Sequence, residues 1–400
     1  MYTSLIYKLD HLEYKLKDLT KGANVQNFNK HFPQDPSICY LNHAAVSPWP
    51  LCTAQALSTF AQENLTFGAT NYLKWLEIEQ QLRTRLAKLL NLNNTDEISL
   101  AKSTSEALSI IAYGIDWQEG DEVIISNHEF PSNRIVWESL AQFGVRTIIA
   151  DFSSHIDPID EIESHINKRT RLISISSVQY ASGLRIDLEA LSHTCKKHQL
   201  LLCVDAIQSL GAIPFDQNKI NADFIVADGH KWMMAAEGLA LLYIKKEQQS
   251  QLKLNQYGWH MIKNRGDYAA SEWQPAEDET RFECGSPNML GIHTLNASLG
   301  FIHDIGMNTI ADELNKRMNY LTGQLSKIPN LSIISPIEEK LRGGIITFHI
   351  NKIDSNSLYS ALMKKGVICA NRGGGVRFSP HFYTSQVVMD SAIKQLKELL

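Results

Sequence analysis

The stretch "LLCVDAIQSLGAIPFDQNKINADFIVADGHKW", residues 201–232, decides the fold. It holds two short apolar runs, LLCVDA at 201–206 and FIVADG at 224–229. Apolar runs of this length, bounded by Gly, Asn and Asp, read as strands buried on both faces. Outward from here the pattern recurs in EVIIS at 122–126, RTIIAD at 146–151, RLISISS at 171–177 and LALLYI at 239–244. Helices are expected between them at 132–142, 158–167 and 187–198, with a further helical region at 51–90. Strands alternating with helices imply a three-layer α/β/α domain with a mainly parallel sheet. Its expected bounds are 38–290. After residue 290 the pattern changes to a long helix, strands LSIISP (331–336) and GGIITFHI (343–350), then helices at 355–365 and 385–400. This predicts a smaller α+β domain over 291–400.

The 400 residues are 44% hydrophobic and 20% charged, with a formal net charge of −5. No basic stretch is long enough for a nucleic-acid surface. The N-terminal "MYTSLIYKLDHLEYKLKDLT" lacks the long apolar core of a signal peptide. No run of about 18 apolar residues is present, so no membrane helix is expected. The six cysteines, at 39, 52, 195, 203, 284 and 369, form no C-x-x-C pair. That argues against a disulfide framework and a zinc site and favours a reducing cytoplasm. Leu5, Leu9, Leu12, Leu16 and Leu19 are spaced 4, 3, 4, 3, one seam on a helix. The seam docks on its own protein or on a partner subunit. With the polar linker that follows, residues 1–37 read as an N-terminal helix and linker.

In open α/β sheets, ligands gather beyond the carboxyl ends of the strands. Asp205 ends one strand and Lys231 lies just past the next. A carboxylate buried alone costs several kcal/mol, on the order of 5. A desolvated lysine shifts toward its neutral, nucleophilic form, the form that makes Schiff bases. A lysine on the aldehyde carbon and an aspartate on the pyridinium nitrogen are the partners pyridoxal phosphate requires. A buried Asp–Lys ion pair is the rival explanation. Thr104 and Ser105 stand at the mouth of a helix, where hydroxyls and free N–H groups suit a phosphate or simply cap the helix. Phe130 is either core or a flat face for a planar ring.

These residues together carry a resemblance. "STSEAL", "VDAIQSLG", "ADGHKW", "FECGSPN" and "RGGGVRFSPHFYT" resemble the class V aminotransferase and cysteine desulfurase group of fold-type I pyridoxal-phosphate enzymes. "FPS" and the R-x-S-P-H-F-Y pattern are most similar to its isopenicillin-N-epimerase-like and kynureninase-like branch. The resemblance covers roughly residues 38–395 and implies roles. Lys231 carries the Schiff base and moves the proton at the substrate Cα. Asp205 holds the ring nitrogen protonated. Gln208, assisted by Gln179, bonds the phenolic oxygen. Phe130 stacks on the ring, with His128 as its competitor. Thr104, Ser105 and His230 bind phosphate. Asp228 stands where relatives often carry serine, so its own phosphate contact is in doubt. Ser286 reaches the phosphate of a neighbouring subunit, which implies a homodimer with shared sites. Arg377 pairs with the carboxylate of a small amino-acid substrate, Arg372 with the same group or a distal acid, and Asn42 and His43 line the entrance.

The expected function is pyridoxal-phosphate-dependent chemistry on an amino acid, aminotransferase class V chemistry first. The alternatives are C–S lyase or desulfurase-like activity and epimerisation. A non-catalytic interaction protein is the alternative of a different class. A persulfide-forming desulfurase needs a mobile cysteine loop after the first C-terminal arginine, where this chain has "GGGVRFSP". Cys369 precedes Arg372 and reads as a small buried hydrophobe.

Overall fold

Alternation along the strands sends successive side chains to opposite faces. In the computed structural model, which describes residues 25–153, 157–269 and 271–400, this divides the main sheet between two cores. The leucine seam lies outside the described residues. After β1 (Cys39–Tyr40) and the helices α1 (Leu51–Phe67) and α2 (Tyr72–Leu89) come seven sheet strands. They are β2 (Ile98–Ala101), β3 (Glu122–Ser126), β4 (Arg146–Ala150), β5 (Thr170–Ser176), β6 (Leu201–Asp205), β7 (Phe224–Asp228) and β8 (Ala240–Ile244). Their order is β2-β8-β7-β6-β5-β3-β4. β3 to β7 are parallel to their neighbours among themselves, and β8 is antiparallel to both β2 and β7. β2 was not expected. It is four residues long, too short for a period to show.

The intervening helices are α3 (Thr104–Gly114), α4 (Ser132–Glu138), α5 (Pro158–Ser164) and α6 (Leu188–His198). Ile124, Ile173, Leu202, Ile225 and Leu241 face one core, with Leu86 of α2 and Leu191 of α6. Val123, Leu172, Cys203, Phe224 and Leu242 face the other, with Leu108 of α3 and Trp137 of α4. Each such fully buried side chain contributes about 2 kcal/mol of burial. The result is the three-layer α/β fold expected.

Helix α7 (Met289–Ile305) is buried along most of its length and packs against α1 and α2. Its Ile292, Leu295, Leu299 and Ile302 belong to the first sheet core. A helix apolar on most sides needs cover all round, which the large layer supplies. The change of packing therefore comes in α8 (Met307–Leu325), where Ile310 still faces the first core and Leu314 begins another. That third core covers the antiparallel sheet β12-β13-β10-β9, with β9 (Leu331–Ile333), β10 (Ile346–Ile350), β12 (Ala370–Arg372) and β13 (Gly375–Phe378). It also holds α9 (Ser355–Lys364) and α10 (Gln386–Lys397). Cys39, Leu41 and Ala44 join this core too, because β1 pairs in parallel with β11 (Val367–Ile368). Among the described residues no helix is long and apolar enough to cross a membrane.

Candidate active site

The carboxyl ends of β6 and β7, the loop after β3 and the start of α3 open on one cavity of about 340 Å³. Thr104, Ser105, Phe130, Asp205, Gln208, His230, Lys231, Arg372 and Arg377 all line it. Parallel strands that end together gather Thr104, Phe130, Asp205, Gln208 and Lys231, and the antiparallel C-terminal sheet adds Arg372 and Arg377 from β12 and β13.

Asp205 is the last residue of β6 and is 2% exposed. Its Oδ1 accepts from the Ile207 N–H at 3.0 Å. Burial pushes its carboxyl well above the usual range, against the pull of that N–H and of Lys231. Lys231 lies three residues beyond β7 and is 8% exposed. Burial pushes its amine below the usual lysine range, opposed by Asp205 and aided by Arg377. Among the described residues neither group has an oppositely charged partner within 4.0 Å. The Asp–Lys ion pair that rivalled the Schiff-base reading is not formed.

The backbone turns sharply here. The Met234 N–H donates to the Lys231 carbonyl at 2.9 Å, and Met234 takes a left-handed φ of 54°. A non-glycine residue in that region costs about 1 kcal/mol, held here by burial of Met234 in the first core.

Arg377 leaves β13 into the same cavity and is 2% exposed. Its guanidinium donates to the Tyr180 carbonyl at 2.6 Å and the Asn42 Oδ1 at 3.4 Å, both neutral acceptors. Its Nε–H is buried and has no partner among the described residues. Burial, with Arg372 nearby, lowers it to about 10. Arg372 is exposed and, among the described residues, bonds only the Asn371 carbonyl.

At the start of α3 the cap is Ser103, whose side chain accepts from the Glu106 N–H. Thr104 and Ser105 are the first helical residues. Thr104 Oγ1 accepts from the Asp228 N–H at 3.1 Å, and Ser105 Oγ donates to Ser132 Oγ at 2.8 Å. His230 Nδ1 lies 2.6 Å from Asp228 Oδ1, so the carboxylate orients the imidazole. Phe130 packs edge-on against Tyr180, centroids 5.2 Å apart, with the Lys231 amine 5.5 Å from its ring centre. His128, its competitor, is outside the lining and sits 3.3 Å from Ser153 Oγ.

Four expected residues lie elsewhere. Gln179 is fully buried and donates to Glu129 Oε1 at 2.9 Å. His43 is buried with both ring nitrogens engaged, one 2.8 Å from the Ser379 carbonyl and one 2.8 Å from the Tyr383 hydroxyl. It joins segments instead of facing the entrance. Asn42 reaches the site through Arg377 alone. Ser286 is exposed, outside the cavity, in a segment anchored at both ends. Glu283 binds the buried Arg83 at 2.8 Å, and Asn288 caps α7 while donating to the Gly238 carbonyl.

Sequence reading missed Ser132, Tyr180, Glu237 and Glu129. The first three line the cavity, and the fourth organises its wall. Glu129 and Ser132 flank Phe130, and Tyr180 follows Gln179, so only the folding of these segments against each other singles them out.

The family description for aminotransferase class-V matches residues 39–387. The chain belongs to that family. Among class-V relatives, a probable cysteine desulfurase of Methanothermobacter thermautotrophicus is 28% identical, covering 90% of this chain and 94% of its own. The uncharacterized aminotransferase YcbU of Bacillus subtilis is 27% identical, covering 84% and 87%. The solved structure of the cystine C–S lyase C-DES with its product cysteine persulfide superposes with a TM-score of 0.85 at 21% identity, covering 91% of this chain and 98% of that one.

Pyridoxal phosphate is the cofactor of this class-V family. The residues present fit it. A buried carboxyl, a buried amine and a buried guanidinium share one cavity, and among the described residues none has an oppositely charged partner within 4.0 Å. Such groups are costly unless a ligand completes them.

Proposed function

We propose that this class-V enzyme is a C–S lyase acting on a cysteine-derived amino acid, its sulfur leaving without passing through an enzyme thiol. The relatives named desulfurase and the likeness to a C–S lyase favour this over the aminotransferase chemistry expected first. The observation that carries the thiol-free form is the cysteine set. None of the six lines the cavity. Cys369, the nearest in sequence to the arginines, is buried and its thiol is pushed up to about 12 by that burial, with Arg377 pulling the other way. A thiol held neutral is a poor nucleophile.

Lys231 would hold the cofactor aldehyde, Asp205 the ring nitrogen, and Thr104, Ser105 and His230 the phosphate. Phe130 would cover the ring face. When bound, the cofactor supplies a sink for the electron pair left at Cα. Arg377 pairs with the substrate carboxylate, because a buried cation bonded only to neutral oxygens gains most from an anion. Lys231 would remove the Cα proton. Its depressed basicity keeps part of it neutral near neutral pH. The exposed Ser286 would serve the phosphate of a second copy in a homodimer.

The test is a panel of cystine, cysteine, S-methylcysteine, alanine and aspartate offered to the cofactor-loaded protein. Pyruvate, ammonia and a sulfur product, with no persulfide on the protein, support the lyase. Alanine with a protein persulfide, or a keto acid with conversion of the cofactor to its amine form, overturns it. Replacing Cys52, Cys284 and Cys369 together by alanine leaves turnover within about twofold.

A further inference from the structure

Gln208 lines the cavity, yet both ends of its amide are already engaged with protein. Its Nε2 donates to the Ala44 carbonyl at 3.0 Å. Its Oε1 accepts from the indole N–H of Trp232 at 2.8 Å. A carbonyl can only accept and an indole N–H can only donate. The flipped amide would set donor against donor and acceptor against acceptor, so its orientation is fixed by chemistry.

We infer that Trp232 is a positioning residue that makes Gln208 a donor, and never an acceptor, toward the cofactor ring. The amide nitrogen carries two protons. One is used on Ala44, and among the described residues no group accepts the other. The oxygen is sealed by Trp232. Gln208 can then offer the cavity nothing except an N–H, which favours the anionic form of a ring oxygen.

Trp232 is built for this task. It follows Lys231 directly and is 0% exposed. The left-handed turn at Met234 lets two neighbours in sequence part, one to the cavity and one to the third core. The indole is clamped there. A Cβ on Gly344 would come within 2.4 Å of its ring, and one on Gly211 within 2.4 Å of the Trp232 carbonyl. The Trp232 carbonyl is itself 3.1 Å from His381 Nε2. The ring therefore cannot swing away from Gln208. The C-terminal unit thus reaches the cofactor ring through one tryptophan and one amide.

The inference rests on the cofactor reading above, and the experiment separates the two. The pH at which the visible band of the cofactor-loaded protein interconverts is measured for wild type, Trp232→Phe, Gln208→Leu and the double variant. Asp205, Lys231, Asp228, His230, Arg372, Arg377 and Glu237 share the cavity and are unchanged throughout. A donor to the ring oxygen lowers the basicity of the adjoining imine nitrogen. The transition should therefore rise by about half a pH unit or more in Trp232→Phe and further in Gln208→Leu. In the Gln208→Leu background, Trp232→Phe should add nothing, because the tryptophan acts through the amide. An equal shift in both backgrounds, or none in either, overturns the inference. If no band forms in wild type, the cofactor reading fails instead. Should Trp232→Phe not fold, benzothienylalanine at 232 keeps the ring volume, removes the N–H and carries the same test.

Discussion

Arg377 shows how a single side chain can declare a ligand. A guanidinium that is 2% exposed, bonded to two neutral oxygens and keeping a buried orphan N–H is incomplete by itself. Replacing it by alanine should lower kcat/KM for any amino-acid substrate about 100-fold, the worth of a charge-assisted pair near 3 kcal/mol, mostly through KM. Lysine should not restore it, since a point charge cannot reproduce the fork. Lys231 gives a pH prediction. Its amine is depressed by burial, so the neutral, reactive form is present well below the pH a free lysine needs. The rate at which the apo-protein captures the cofactor aldehyde should rise with pH and level off below 10, followed by the growth of the visible band. A rise that continues to the ordinary lysine value, 10.5, would refute the depressed amine.

The loop between β3 and α4 owes its shape to one buried carboxylate. Glu129 accepts from Ser126 Oγ at 3.0 Å, Asn133 Nδ2 at 2.8 Å, the Ser176 N–H at 3.0 Å and Gln179 Nε2 at 2.9 Å. It ties the end of β3 to the end of β5 and so sets where Phe130 stands. A buried acceptor with this many donors leaves them all unsatisfied when removed. Glu129→Ala should cost about 3 kcal/mol or more, read as a lower urea midpoint, and should weaken cofactor binding through Phe130. Gln179, expected at the ring, is instead part of this brace. From sequence the two roles are indistinguishable, since Gln179 and Gln208 each stand three residues past a strand end.

Across the whole molecule, segments far apart in sequence meet at buried histidines. His43 joins the segment after β1 to Ser379 and Tyr383, and His381 meets the Trp232 carbonyl. Burial lowers His43 from 6.5 to about 4 and His381 well below 6.5, the latter helped by His43. The unfolded chain therefore binds protons near pH 6.5 that the folded chain refuses. Stability should fall as pH drops from 6.5 toward 4, by about 1.4 kcal/mol per pH unit for each histidine. Denaturation midpoints at pH 7 and pH 5 measure this, and His43→Gln should make the decline shallower. A flat profile across that window would refute neutral burial.

The sequence by itself determined the α/β class, six of the seven strands of the main sheet and the pair Asp205 and Lys231. The reason is local. An apolar run ending in a charge is visible wherever it stands, and the sheet converts strand ends into neighbours. Only the tertiary structure decided that α7 belongs to the large layer, that β1 joins the C-terminal core, that His43 is a joint, and that Trp232 fixes the polarity of Gln208. These depend on which surfaces meet between segments separated along the chain, and on donors and acceptors whose partners lie on other segments. No spacing along the chain encodes such a meeting, because it follows from how the layers close on one another.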